Sequence, residues 1–300
     1  MRLKPGVANN FVLFISPLIT SLSVAATPSL AASFASSNTF FQTFNYSLSP
    51  QNISSENVGD IGTSINFNTS TLAVPGATAV ADVNAGATFS KEDLNFINSD
   101  NFSLNTAVGS GSRYLGLAQS QVGVFGNFVV PAGQTFSFNF EAILDLSTYI
   151  DPPRRDSATA STEISLLLLD TTDNKNTVLD FFKVTSNLIT RPYEEVGEDF
   201  LAFDYSDSID IGLNDSDPDN DPFLFTYFGG NQETAKASFS GFYQRTFDSE
   251  TKLKLIEFKK NEVKVEAPEP SSALALFLFV GLASVWSKLK SKKEGVGYRV

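Results

Sequence analysis

Residues 135–146 place Phe136, Phe138, Phe140, Ala142, Leu144 and Leu146 at every second position, with polar residues between them except for Ile143. Side chains alternate faces along a strand but recur every 3.6 residues along a helix, so this spacing describes a strand with one buried face. The period returns along the chain. Residues 122–130 are strand-like, and 158–169 alternate until the unbroken run 166–169, which reads as a strand entering a core covered on both sides. Between 36 and 267 no sustained helical period and no internal repeat interrupts the pattern.

Turn chemistry divides these runs. Pro131, Ala132 and Gly133 supply a tight turn between 122–130 and 135–146. Polar residues 171–176 fold 158–169 onto 177–184 as a hairpin. Residues 248–251 are expected to join 235–247 and 252–265 as another hairpin. In its second strand the apolar phase slips, from Leu253 and Leu255 to Ile256 and Phe258, and a β-bulge accounts for the slip. Residues 32–38 read as an unstructured leader and 186–222 as one long irregular excursion. Many strands with short polar turns predict an all-β chain, a β-sandwich of jelly-roll-like form rather than a barrel or propeller.

Composition narrows the chemistry. The 28 Phe against one Trp and one Met, together with abundant Thr, Ser, Asn and Val, suit strands and polar turns. There is no Cys, hence no disulfide and no thiolate chemistry, and no His, hence neither the commonest general base nor the commonest transition-metal ligand. Carboxylates, hydroxyls, Lys and Tyr remain. The net charge is −12, and because both ends are basic the stretch between them is more acidic still. Nucleic acid is therefore excluded as a partner, since phosphate contacts need clustered Lys and Arg.

The two ends differ from the body. Arg2 and Lys4 precede an uncharged apolar stretch and then small residues, the order of a secretory signal peptide for the Sec export machinery over 1–35, cleaved after Ala31 or Ala35. The exported acidic domain then spans 36–267. From 268 to 300 the chain runs Pro268, Glu269, Pro270, Ser271, an apolar segment, and the basic cluster Lys288, Lys290, Lys292 and Lys293. The uncharged segment 271–287 is about 25 Å long as a helix, against about 30 Å of bilayer core, and lysines snorkel to cover the difference. A single transmembrane helix is expected there. Positive flanks stay in the cytoplasm, so both ends lie inside and the body lies across the membrane.

The tail resembles the PEP-CTERM sorting signals, which combine a Pro-Glu-Pro motif, a short transmembrane helix and a terminal basic cluster. The matching positions are Pro268, Glu269, Pro270 and Ser271, then the helix, then Lys288, Lys290, Lys292 and Lys293. The resemblance implies recognition by an exosortase, a membrane transpeptidase of Gram-negative and cyanobacterial-type bacteria that make extracellular polysaccharide. It covers about a tenth of the chain and carries no information on the body.

Within the body, Asp215, Asp217, Asp219 and Asp221 alternate through an acidic run, and alternate carboxylates can converge on calcium. Their spacing fails the EF-hand, because Asn220 stands at the turn glycine and Thr226 at the bidentate Glu. Glu141, Glu163 and Glu257 are the acids a sandwich could bring together with a second acid for glycoside hydrolysis. Tyr114, Tyr149, Tyr193 and Tyr243 are aromatic candidates for stacking on sugar rings. The expectation from sequence is a non-catalytic surface or matrix protein, structural or adhesive and polysaccharide-associated. Its rivals are a calcium-dependent carbohydrate-binding module and a secreted carbohydrate-active enzyme.

Overall fold

The computed structural model describes residues 33–50, 61–93, 96–111, 113–151, 156–173, 175–192, 198–211 and 223–267. Among these residues the structure is all-β. Its strands are β1 (Ser33–Phe44), β2 (Ile61–Ala73), β3 (Thr78–Asp93), β4 (Phe96–Ser110), β5 (Tyr114–Val130), β6 (Gln134–Ile150), β7 (Ser157–Asp170), β8 (Thr177–Thr190), β9 (Phe200–Tyr205), β10 (Ile209–Ile211), β11 (Phe223–Tyr227), β12 (Gln232–Phe247) and β13 (Thr251–Ala267). One antiparallel sheet has the order β10-β12-β6-β1-β4-β3, with β11 also paired to β12; the other has the order β2-β5-β13-β7-β8-β9. The sheets stack face to face, β4 over β5 and β13, β1 over β13 and β7, β6 over β7 and β8.

The alternation in residues 135–146 is realised as β6. Phe136, Phe138, Phe140, Ala142, Leu144 and Leu146 are all buried, while Ile143 lies on the outer face. The hairpin across 171–176 forms as β7 and β8, with a register shift at Leu168/Leu169. The apolar run 166–169 is not fully buried. Leu166 and Leu168 enter the core, and Leu167 and Leu169 lie half-covered on the outer face.

One other connection, at 248–251, differs from its sequence reading as a hairpin, and the tight turn at 131–133 shares its geometry. β5 and β6 belong to different sheets, and so do β12 and β13, so neither the turn at Pro131, Ala132 and Gly133 nor that at 248–250 closes a hairpin. Each is an arch that carries the chain from one sheet to the other. The arches lie side by side, since the Gly133 amide donates to the Phe247 carbonyl at 2.7 Å. Beyond them β6 pairs with β12 and β5 pairs with β13 along their full lengths. Short turns allow either outcome. Burying the apolar face of each strand against the facing strand decides it, and that is a long-range choice.

Residues read as irregular are also partly ordered. β1 begins at Ser33, with Ala35 buried and the Ser33 hydroxyl 2.7 Å from the Tyr114 hydroxyl. The stretch 186–222 contains the end of β8 together with β9 and β10. These strands are short, and their apolar positions are too few to set a period.

The largest correction concerns β13. No bulge occurs, and its pairing with β5 and β7 continues without a shift through Leu255, Ile256 and Glu257. The phase therefore holds while the chemistry inverts. Ile256 and Phe258 face outward, and Glu257, Lys259 and Asn261 face inward, each at most 1% exposed.

The interior is accordingly divided. Under β6, β12 and β8 it is aromatic: Phe136, Phe138 and Tyr243 pack with centroids 5.1 to 6.3 Å apart, and Phe182 lies 5.1 Å from Phe140 and 5.4 Å from Phe239. Each such ring contributes on the order of 1.5–3 kcal/mol through burial. Under β1, β4 and β13 it is polar, with Thr39, Thr43, Ser99, Asn101, Ser103 and Asn105 facing the three inverted residues of β13.

Candidate functional site

Inverted strand chemistry works only if each polar group finds a partner, because an unpaired buried polar group costs about 1–3 kcal/mol. The polar centre meets most of that demand by matching strands across the two sheets. One Glu257 carboxylate oxygen accepts from the Thr43 hydroxyl at 2.5 Å and from the Ser99 hydroxyl, and the other accepts from Asn101 Nδ2 at 2.9 Å. Tyr46 joins the group through the Thr43 hydroxyl. Two residues along β13, Lys259 Nζ donates to the Thr39 carbonyl at 3.0 Å. Two further on, Asn261 Nδ2 donates to Thr39 Oγ1 at 2.8 Å and to the Ser103 carbonyl at 3.2 Å, and Asn261 Oδ1 accepts from Thr162 at 2.5 Å. Asn105 closes the row, donating to the Asn261 carbonyl at 3.0 Å.

Electrostatics push both ionisable groups toward neutrality. Burial raises the Glu257 carboxyl to about 7, against the lowering effect of its three hydrogen-bond donors. Burial holds Lys259 well below the ordinary lysine range, with Glu257 acting in the opposite direction. A neutral amine is a nucleophile, and a carboxyl that titrates near neutrality can both take up and release a proton, so burial moves both side chains toward chemically active forms. One polar atom beside them is unsatisfied: the carboxamide oxygen of Asn101 is buried and has no hydrogen-bond partner.

Other buried acids have complete partner sets. Asp180 accepts from the Tyr243 hydroxyl and from Arg245, both at 2.9 Å. Glu233 accepts from Thr190 at 2.7 Å and from the Gly229 amide at 2.9 Å. Asp156 accepts from the Tyr114 hydroxyl at 3.0 Å.

The three acids considered for glycoside hydrolysis lie in three separate places. Glu141 lies on the outer face of the first sheet bonded to Gln42, Glu163 lies on the outer face of the second paired with Lys183 at 3.2 Å, and Glu257 lies between the sheets. Tyr114 and Tyr243 belong to the core, and Tyr149 is half-covered on the outer face of β6. The exposed aromatics are others, among them Phe223, Phe225 and Tyr227 along β11. Asp215, Asp217, Asp219 and Asp221, Tyr193, the sorting residues Pro268, Glu269, Pro270 and Ser271, and Lys288, Lys290, Lys292 and Lys293 lie outside the described residues. Among the described residues no three acids gather as a metal cluster would, and no helix is long and apolar enough to cross a membrane.

Lys259 and Asn101 were not legible as site residues in the sequence. The phase slip in β13 was the available signal, and it has two physical solutions, a bulge or an inward-facing polar row. Choosing the second requires knowing that β4 presents Ser99, Asn101, Ser103 and Asn105 at the facing positions. No protein-family model, curated protein or solved structure matches the chain.

Proposed function

We propose that this is an exported cell-surface or extracellular-matrix protein of structural or adhesive role, its acidic body delivered by a Sec signal peptide and held by the tail until an exosortase-type enzyme acts at Pro268, Glu269 and Pro270. The observation that carries the reading is the place of β13. It ends at Ala267, the residue before Pro268, and is hydrogen-bonded on both sides, to β5 over its whole length and to β7 from Leu253 to Glu266. A pull on the tail therefore acts along a central strand, and release requires shearing two ladders together. A body attached through an edge strand would instead lose its ladder one bond at a time.

Two further features support the same reading. Ser33 and Ala35 are built into β1, which favours signal cleavage after Ala31 over cleavage after Ala35. The chain also passes repeatedly between the sheets, from β4 to β5, β5 to β6, β6 to β7 and β12 to β13, the wrapping expected of a jelly-roll-like sandwich. Polysaccharide contact is assigned to the outer face around β11, where Phe223, Phe225 and Tyr227 project on one side at 47 to 58% exposure. Alternate residues of a strand stand about 7 Å apart, so the three rings form a row along which a glycan can lie.

A membrane-impermeant amine label on intact cells tests export. Labelling of the body before lysis is expected, and labelling only after lysis contradicts the proposal. Retention on extracellular polysaccharide is expected to fall at least tenfold in a Phe223→Ala/Phe225→Ala/Tyr227→Ala triple variant; unchanged retention removes that surface from the account.

A further inference from the structure

The polar centre brings together an amine, a carboxamide and a carboxyl group on strands of opposite sheets. Asn101 Nδ2 donates to Glu257 at 2.9 Å, and Lys259 stands two residues from Glu257 on the same inward face of β13. The position of Lys259 relative to β4 is bracketed. On one side Glu257 bonds Ser99 and Asn101; on the other Asn261 bonds the Ser103 carbonyl. Lys259 therefore lies opposite the stretch of β4 between Asn101 and Ser103. Its Nζ is bonded to the Thr39 carbonyl, and Thr39 pairs with Ser103, one inward position from Asn101. Asn101 is therefore one of the two inward β4 positions that bracket Lys259.

From this geometry we infer that Lys259 and Asn101 form an intramolecular isopeptide bond, with Glu257 as the proton-transferring catalytic residue. Lys259 Nζ attacks the Asn101 carboxamide carbon and a new carbon–nitrogen bond forms. The bond from that carbon to Nδ2 breaks, and the nitrogen leaves as ammonia. Glu257 accepts the proton shed by the attacking amine and returns one to the departing nitrogen that it already contacts. One amine and one carboxamide give one secondary amide and one ammonia, with no change of oxidation state and no co-reactant.

Three observations favour this over a purely structural polar row. Each group is buried, which disfavours the charged form of the amine and leaves its attack without competing water. Fixed placement on packed strands replaces a bimolecular encounter, which is worth several orders of magnitude in rate. The Asn101 carboxamide oxygen has no hydrogen-bond partner, so the group is held through Nδ2, the atom that leaves, by Glu257. Because both reactants belong to the chain, burial is no obstacle to their meeting. The product would bridge β4 to β13, joining the sheet that contains β1 to the strand that leads into the tail. The inference goes beyond the proposed function and stands on the polar centre alone, whatever the fate of the tail.

Peptide mapping of the purified full chain, denatured and cut with trypsin, provides the test. Residues 92–113 form one tryptic peptide containing Asn101, and Lys259 lies in 255–260. The expected product joins these two segments, lighter than their sum by one ammonia and uncut after Lys259. Lys259→Met and Asn101→Ala are expected to release the segments separately, and Glu257→Gln, close in shape, to leave at least nine-tenths of the chain unlinked. Folded wild-type protein that yields both segments free and fully cut at Lys259 overturns the inference, as does a link that persists in Asn101→Ala. The wild-type result decides the question even if a variant fails to fold.

Discussion

Glu257 carries a stability signature that ordinary surface carboxylates do not. Its pKa rises from 4.5 to about 7 because burial outweighs its three donors, with Asp100 adding to the rise. Tyr46, itself pushed up by burial, and Lys259 are the other titratable groups facing it. Between those two values the folded protein retains a proton that the unfolded chain has lost, so stability falls as pH rises across the window, by an amount on the order of 3 kcal/mol. Thermal melts at a series of pH values are expected to show this fall in the wild type and a flatter profile in Glu257→Gln. Parallel profiles would mean that the carboxyl is not held protonated. Gly241 gives a second residue-scale test. It pairs with Phe140 across the β6–β12 ladder, and a Cβ added there would lie 2.1 Å from the ring, which is itself buried. Gly241→Ala is expected to cost about 1–3 kcal/mol by chemical denaturation, as overpacking in a tight core does. No measurable change would show that the ring moves freely.

At the level of strands, the alternating pattern was enough to identify β6, β7 and β8 and the buried face of β6, while the end of β7, read as covered on both sides, is half-covered on its outer face. It was not enough to say which strands pair. The arch at 248–250 looked like a hairpin turn because local turn chemistry is the same for hairpins and arches, while the choice between pairing and crossing is set by partners more than 100 residues away, such as Gln134 opposite Phe247. The polar row of β13 was hidden for a related reason: its inversion is sensible only beside the polar row of β4. Strand context also orders local stability. β2 is exposed on both faces from Thr63 to Ala73 and, among the described residues, has β5 as its one ladder partner, whereas β13 lies between two partners over a buried network. Hydrogen exchange is expected to be fastest in β2 and β11 and slowest in β13, β1 and β6. Equal protection of β2 and β13 would contradict the assigned edges.

For the whole molecule, the all-β class and the two-sheet arrangement followed from period and turns, and the acidic charge followed from composition. The division of the interior into an aromatic half and a polar half did not, because it depends on which faces meet. That division matters for the proposed role. The aromatic half supplies cohesion through burial, and the polar half ties the first described strand, β1, to the last, β13, across the sheets through Thr39 and Thr43. A tail that pulls on β13 thus pulls against both sheets. The most direct measurement is the carboxyl terminus of the mature protein from fractionated cells, with Pro268→Ala/Pro270→Ala beside the wild type. Wild-type protein is expected at the surface or outside the cell, shortened within the tail, and the variant is expected full-length in the membrane. A wild-type chain that stays full-length in the inner membrane and is indistinguishable from the variant would contradict sorting, and recovery of the body in the cytoplasm would contradict export itself.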